Sequence, residues 1–304
     1  MPGQHRQEAA DLNATALALI LVAAVAHASW NLFSKQAAAG GAACFVWLMS
    51  AAATVLYAPA VAVSVLVSPP HLTGRSWLYL AGTAVLQIGY FLFLQRGYRA
   101  GDLSLVYPLG RGTGALLAAL AGIVILGERP GPAGLAGIAL LVTGVIVIGL
   151  PSRNGGPPGQ PGRPAPAAVS LAVVTGVFIA AYTLWDKVAV TSVGNPPLLQ
   201  DYASLVGMAL VLAPFALADT ARTRRVWHGY RRQVLGAAVL APLAYVLVLA
   251  AMSFTAVSAV APAREISVLF GVVLGRRLLA EPSLARRLTG AAAIVAGIIA
   301  IALG

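Results

Sequence analysis

Apolar residues run through this chain in stretches of about twenty, and Pro, Gly and charged residues collect in the short gaps between them. An α-helix rises 1.5 Å per residue, so about 20 apolar residues are needed to cross a hydrocarbon layer of about 30 Å. On that ruler ten spans are predicted, at 14–34, 43–67, 77–95, 103–126, 132–150, 168–187, 198–218, 233–253, 257–275 and 284–303. Pro69-Pro70, Gly131-Pro132 and Pro196-Pro197 fall at span ends, where helix breakers belong. The fold class expected is an all-α integral membrane protein. Ala16 to Val25 followed by Ala26-His27-Ala28 imitates a secretory leader with its cleavage site. Glu8 and Asp11 spoil the basic leader start, and the apolar run continues to Phe33, so a first membrane span is expected instead.

Two halves of the pattern repeat each other. Arg111, Gly122, Glu128, Gly137 and Gly144 are matched at a shift of 153 residues by Arg264, Gly275, Glu281, Gly290 and Gly297. Shared arginine, glutamate and glycine inside greasy sequence mark a tandem duplication. Residues 1–150 form the first five-span unit and 168–304 the second. Between them, 151–167 holds six prolines and four glycines and reads as a linker. Five is odd, so the second copy enters the membrane from the opposite face. Two inverted five-helix repeats are a transporter plan, with the substrate site near the midplane where the repeats meet.

Composition agrees: 59% of residues are hydrophobic, 10% charged, and the mean hydropathy is +0.85. The net charge of +11 does not indicate nucleic-acid binding, because the basic residues flank apolar runs and no soluble domain carries a basic, aromatic-studded face. Loops on the side of the termini carry four basic residues, Arg6, Arg75, Arg129 and Lys187. The opposite loops carry fourteen, among them Arg99, Arg222, Arg225 and Arg287. The positive-inside rule then places the termini outside. Cys44 is the only cysteine, so neither an internal disulfide nor a thiolate metal cluster is available.

An ionisable side chain inside a span costs about 2.5–3.5 kcal/mol on insertion scales and is a functional candidate by default. Arg111 in span four and Arg264-Glu265 in span nine stand out. Glu265 has no counterpart, since Gly112 holds its position in the first copy; it is the candidate proton or amine site, with Arg111 and Arg264 as partners for carboxylates. His27, Trp30, Asn31, Ser34 and Lys35 recur at spacings of three and four, giving span one a polar stripe. His27 and Asn31 are candidates to hydrogen-bond substrate. Tyr182, Trp185, Asp186 and Lys187 of span six are the counterpart, with Lys35, Asp186 and Lys187 near enough to helix ends to snorkel. Tyr90 with Gln87, Tyr107 and Tyr245 are candidate aromatic walls with hydroxyl handles. Glu128 and Glu281 lie seventeen residues beyond Arg111 and Arg264, roughly 25 Å of helix, and are expected to be structural acids at helix ends. Gly110-x-x-x-Gly114 and Gly271-x-x-x-Gly275 suit close helix crossings.

Enzyme motifs are absent: there is no Walker loop, H-E-x-x-H, nucleophile elbow or metal-binding carboxylate cluster, so no catalytic residue, cofactor or metal is expected. Without a P-loop, transport would be driven by a gradient. The string His27-Ala28-Ser29-Trp30-Asn31 with Lys35, the string Tyr107-Pro108-Leu109-Gly110-Arg111 leading to Gly127-Glu128-Arg129, and the echo Pro262-Ala263-Arg264-Glu265 resemble the EamA family of the drug/metabolite transporter superfamily. The resemblance implies a bacterial inner-membrane carrier, usually an exporter of metabolites, amino acids or xenobiotics, with a central cavity and cytoplasmic termini. That orientation opposes the charge count. The second copy also departs from the family's Gly-Glu ending, with Ala280-Glu281-Pro282 after Arg276-Arg277. The expected function is secondary transport of a small metabolite, amino-acid-like compound or drug, with protons a candidate coupling ion. Two alternatives are a lipid-headgroup-handling membrane protein and a non-transporting subunit with a sealed interior.

Overall fold

The computed structural model describes residues 14–126, 131–150, 166–252, 265–281 and 284–303. Among the described residues ten α-helices follow one another: α1 (Ala14–Ala37), α2 (Ala42–Val67), α3 (Gly74–Ala100), α4 (Leu103–Leu126), α5 (Pro132–Gly149), α6 (Pro166–Val188), α7 (Pro197–Ala218), α8 (Thr220–Met252), α9 (Ser267–Leu279) and α10 (Leu284–Leu303). Among the described residues nine helices are long and apolar enough to cross a membrane. The remaining one, α9, is described only from Ser267, and the first part of the expected span 257–275 lies outside the described residues. So do Glu128, Arg264 and nearly all of the linker. Outward faces carry exposed Val22, Val55, Leu66, Leu78, Val85, Val124 and Leu210, as lipid contact requires.

The apolar ruler misplaces one boundary. Span eight is expected from 233, whereas α8 begins at Thr220 and breaks at Tyr230, whose φ of −134° and ψ of 21° are not helical. The segment before that break buries Thr223 and Val226 and exposes Arg224, Arg225 and His228. A helix this polar fails any test for a span but suits the membrane surface.

Helix pairing reveals the duplication in space. Exchanging α1–α5 for α6–α10 converts the α1–α8 contact into α6–α3, α4–α6 into α9–α1, and α3–α7 into α8–α2. The pairs α2–α7, α4–α9 and α5–α10 map onto themselves. The repeated glycines make the last crossing. A Cβ on Gly137 would lie 2.7 Å from the Gly297 carbonyl oxygen, and one on Gly144 would lie 2.6 Å from that of Gly290. Because Gly137 corresponds to Gly290 and Gly144 to Gly297, these two contacts exchange under the repeat, as a two-fold relation between the halves requires. Gly110 and Gly114 serve a different crossing, meeting backbone carbonyls of Ala172 and Gly176 on α6.

Candidate functional site: a cavity between the repeats

A cavity of about 130 Å³ lies where α1, α2 and α3 face α6, α7 and α8. Eight residues singled out in the sequence line it: His27, Trp30, Gln87, Tyr90, Arg111, Tyr182, Asp186 and Tyr245. Their rings interlock, with centroids 5.7 Å apart for Trp30 and Phe91, 4.8 Å for Tyr90 and Phe91, and 5.5 Å for Tyr90 and Tyr182. Trp30 Nε1 donates to His27 Nδ1 at 3.0 Å, which puts the proton of a neutral imidazole on Nε2. Pro242 sits inside α8 at the cavity wall, where it cannot donate to the preceding turn.

Arg111 is not free to receive a substrate carboxylate. Its guanidinium makes a two-point contact with Glu265: Nε donates to Oε2 at 3.0 Å and Nη2 donates to Oε1. Both side chains are buried, and the pair joins α4 of one repeat to the turn two residues before α9 of the other. Charge on one member cancels charge on the other, so the pair adds little net field to the cavity. Glu265 itself does not line the cavity.

Three other sequence candidates are directed elsewhere. Asn31 is fully buried; its Nδ2 donates to the His27 carbonyl at 2.8 Å and its Oδ1 accepts from the Tyr98 hydroxyl at 2.6 Å. Tyr107 is hydrogen-bonded to Ser267 at 2.8 Å between the hydroxyl oxygens, and its ring lies against Gly271. Trp185 donates from Nε1 to the Tyr79 carbonyl at 2.9 Å and stacks on the Tyr79 ring at 4.5 Å. Lys35 does not snorkel away from the protein. Its Nζ donates to the carbonyls of Tyr98 and Gly101 at 2.5 and 2.6 Å. Glu281 is a helix-end acid buried inside the protein, and it reaches the other repeat: Oε1 accepts from the Leu103 amide at 2.6 Å and Oε2 from the Ser104 amide at 2.8 Å.

The acids of the cavity are Asp186 and Asp201. Asp186, expected to snorkel, instead faces inward and accepts from Gln200 Nε2 at 3.0 Å. Gln200 is held in turn by Asn195, whose Nδ2 donates to Oε1 at 2.9 Å. Among the described residues the Asp201 carboxylate has no hydrogen-bond or ion-pair partner. The sequence reading passed over Asp201, although the insertion-cost argument that selected Arg111 applies to any acid inside a span such as 198–218.

Comparison with known proteins decides the class. The EamA-like transporter family matches residues 14–150 and again 166–303. The chain belongs to the EamA-like transporter family. This EamA-like protein is therefore a multi-pass membrane transporter and not an enzyme; in a bacterium it resides in the inner membrane. It is 35% identical over 79 residues to the multidrug transporter PA4990 of Pseudomonas aeruginosa, which covers 26% of this chain and 69% of that protein. Over 69 residues it is 33% identical to the multidrug resistance protein EbrB of Bacillus subtilis, 23% of this chain and 59% of that one. Its fold is also similar to that of a chain known from a crystal structure, with a TM-score of 0.58, 15% identity, and coverage of 94% and 98% of the two chains.

Proposed function

We propose that this transporter exports small amphipathic organic cations in exchange for protons, by alternating exposure of the cavity between its two repeats. The observation that carries this reading is the charge balance of the cavity. Asp186 and Asp201 face it, while Arg111, the only Lys or Arg on its wall among the described residues, is neutralised by Glu265. Trp30, Tyr90 and Tyr182 add ring faces, which attract a desolvated cation by up to about 2 kcal/mol each. A proton and an organic cation compete for the same carboxylates, and that competition is the simplest basis for exchange. The proton role first assigned to Glu265 passes to Asp201 and Asp186, because Glu265 is committed to Arg111. Relatives named as multidrug transport and resistance proteins support a drug-like organic cargo. The cavity is small against the ~300–1,000 Å³ of drug-sized pockets, which favours a small amine or a single ring over a large drug.

Uptake of radiolabelled tetraethylammonium into proteoliposomes with an acidic lumen is the direct test. Wild type is expected to accumulate the cation, and Asp201→Asn to lose at least tenfold in rate and most of the dependence on the pH gradient. Glu265→Gln should weaken transport without changing its gradient dependence. Wild-type transport and coupling in both Asp201→Asn and Asp186→Asn would overturn the reading.

A further inference from the structure

A second cavity, of about 190 Å³, lies on the membrane side opposite the termini and shares no wall with the first. It holds several times the ~30 Å³ that one water occupies in the liquid. The first turn of α2, the last turns of α3 and the start of α8 enclose it, with Gln95, Arg96, Arg99 and Arg222 as its polar walls.

Three independent features of this cavity call for the same ligand. The first hydrogen-bonded amide of α2 is that of Phe45, which donates to the Gly41 carbonyl at 3.1 Å, and Gly41 provides no side-chain cap. The amides of Ala42, Ala43 and Cys44 therefore have no partner within the helix, and they form the positive end of a long helix. Arg222 is pressed against that end. Its Nε donates to the Gly40 carbonyl at 3.1 Å, and a Cβ on Gly41 would fall 2.7 Å from the same Nε. Gly41 has a φ of +120°, so its backbone conformation and the space above it both exclude a side chain. A guanidinium lying on a helix N-terminus is electrostatically reversed unless an anion sits between them.

The second feature is charge. Arg96, Arg99 and Arg222 line one cavity, and among the described residues none of them forms an ion pair with a carboxylate. The third is Gln95, which is 1% exposed, lines the cavity, and among the described residues has a hydrogen-bond partner for neither its amide nitrogen nor its amide oxygen. A buried amide with both ends unpaired is rare in proteins, because burial removes its water without replacing it. Its nitrogen needs an acceptor and its oxygen needs a donor.

We infer that this cavity binds a phosphate-type oxyanion that also carries a hydroxyl, held by Arg96, Arg99, Arg222, the first amides of α2 and Gln95. The phosphate oxygens answer the arginines, the amides and Gln95 Nε2. The hydroxyl answers Gln95 Oε1. Hydrogen phosphate in solution and the headgroup of phosphatidylglycerol both have this chemistry, and the exposed Arg224 and Arg225 nearby on α8 would draw either one to the surface.

Thermal unfolding of the full chain, purified in detergent and stripped of lipid, separates these sources. The ligands are inorganic phosphate, short-chain phosphatidylglycerol, and short-chain phosphatidylcholine as the headgroup without a hydroxyl. A saturable rise in Tm with phosphatidylglycerol alone assigns the site to lipid, and a rise with phosphate assigns it to the free anion. In either case Arg222→Gln and Arg99→Gln should weaken the response at least tenfold, and Arg231→Gln, outside the cavity, should leave it unchanged. Gln95→Leu should abolish the response while the ligand-free Tm stays at or above wild type, since it removes an unpaired amide and keeps the shape. The inference fails if neither ligand raises Tm, if Arg231→Gln is as damaging as Arg222→Gln, or if Gln95→Leu lowers the ligand-free Tm and keeps the response.

Discussion

Arg111 and Glu265 are the two residues whose ion pair ties the halves of the transporter together beside its cavity. Breaking a buried pair by removing one partner strands the other charge and typically costs about 3–5 kcal/mol, whereas replacing both by apolar groups can be neutral. Arg111→Met and Glu265→Met are each expected to lower the unfolding temperature markedly, and the double variant to recover most of the loss. A double-mutant cycle on denaturant unfolding checks this, and additive effects would show that the pair is not coupled. The sequence pointed to both residues through the cost of a buried charge, yet it gave no reason to join them. They are separated by 154 positions, and only the α4–α9 crossing brings them together. Asp201 was legible by the same rule, and Gln95 by the smaller cost of burying a neutral amide, but both were lost among their neighbours, because one polar residue in an apolar run does not disclose which wall it faces.

Helices were more legible than side-chain partners, since membrane thickness fixes their length and the duplication fixes their order. The exception was the start of α8, where Arg222, Arg224 and Arg225 hide a helix from any test of hydrophobicity although Val226 anchors it. Repeated glycines carried the clearest physical message. Gly144 lies on backbone at the α5–α10 crossing, so Gly144→Ala must push the helices apart, and the same holds for Gly297→Ala. Each is expected to cost about 1–3 kcal/mol by overpacking, visible as a lower unfolding temperature. Gly149→Ala has nothing within 4 Å of the added Cβ and should be close to neutral or slightly stabilising. Equal effects at positions 144 and 149 would mean that the crossing is loose.

For the whole transporter, the side opposite the termini is one where charge binds the two repeats to each other. A charged cluster joins the repeats there: Arg287 contacts Asp102, Ser104 and Glu281, Glu281 caps the start of α4, and Lys35 clamps the α3–α4 turn. The duplication supplies a matching glutamate, Glu128, for the other side, but Gly134 stands where Arg287 would be and Ala256 where Asp102 would be. With Gly134 and Ala256 at the matching positions the Arg287–Asp102 pair has no counterpart in the repeat, so the conformation that keeps Arg287 paired is favoured over its mirror state. Moving a two-state equilibrium from 1:99 to 99:1 takes about 5.5 kcal/mol; the Asp102 side chain is 35% exposed, so losing its pair with Arg287 costs less than the about 3–5 kcal/mol of a fully buried pair and shifts the balance part of that way. Asp102→Asn together with Arg287→Gln is therefore expected to open the latched side. Ser34 is buried on α1 beside Lys35, so a cysteine there, in a background with Cys44→Ala, reports the opening. Its labelling by a membrane-impermeant thiol reagent should be slow in the latched protein and at least tenfold faster in the variant. A cysteine at Arg225, exposed on the same side, fixes orientation in that experiment: if the basic side is cytoplasmic, it labels only after the membrane is permeabilised. Unchanged protection of position 34 after both latch residues are neutralised would place the barrier in apolar packing around Tyr98 and Leu103 instead of in the charges.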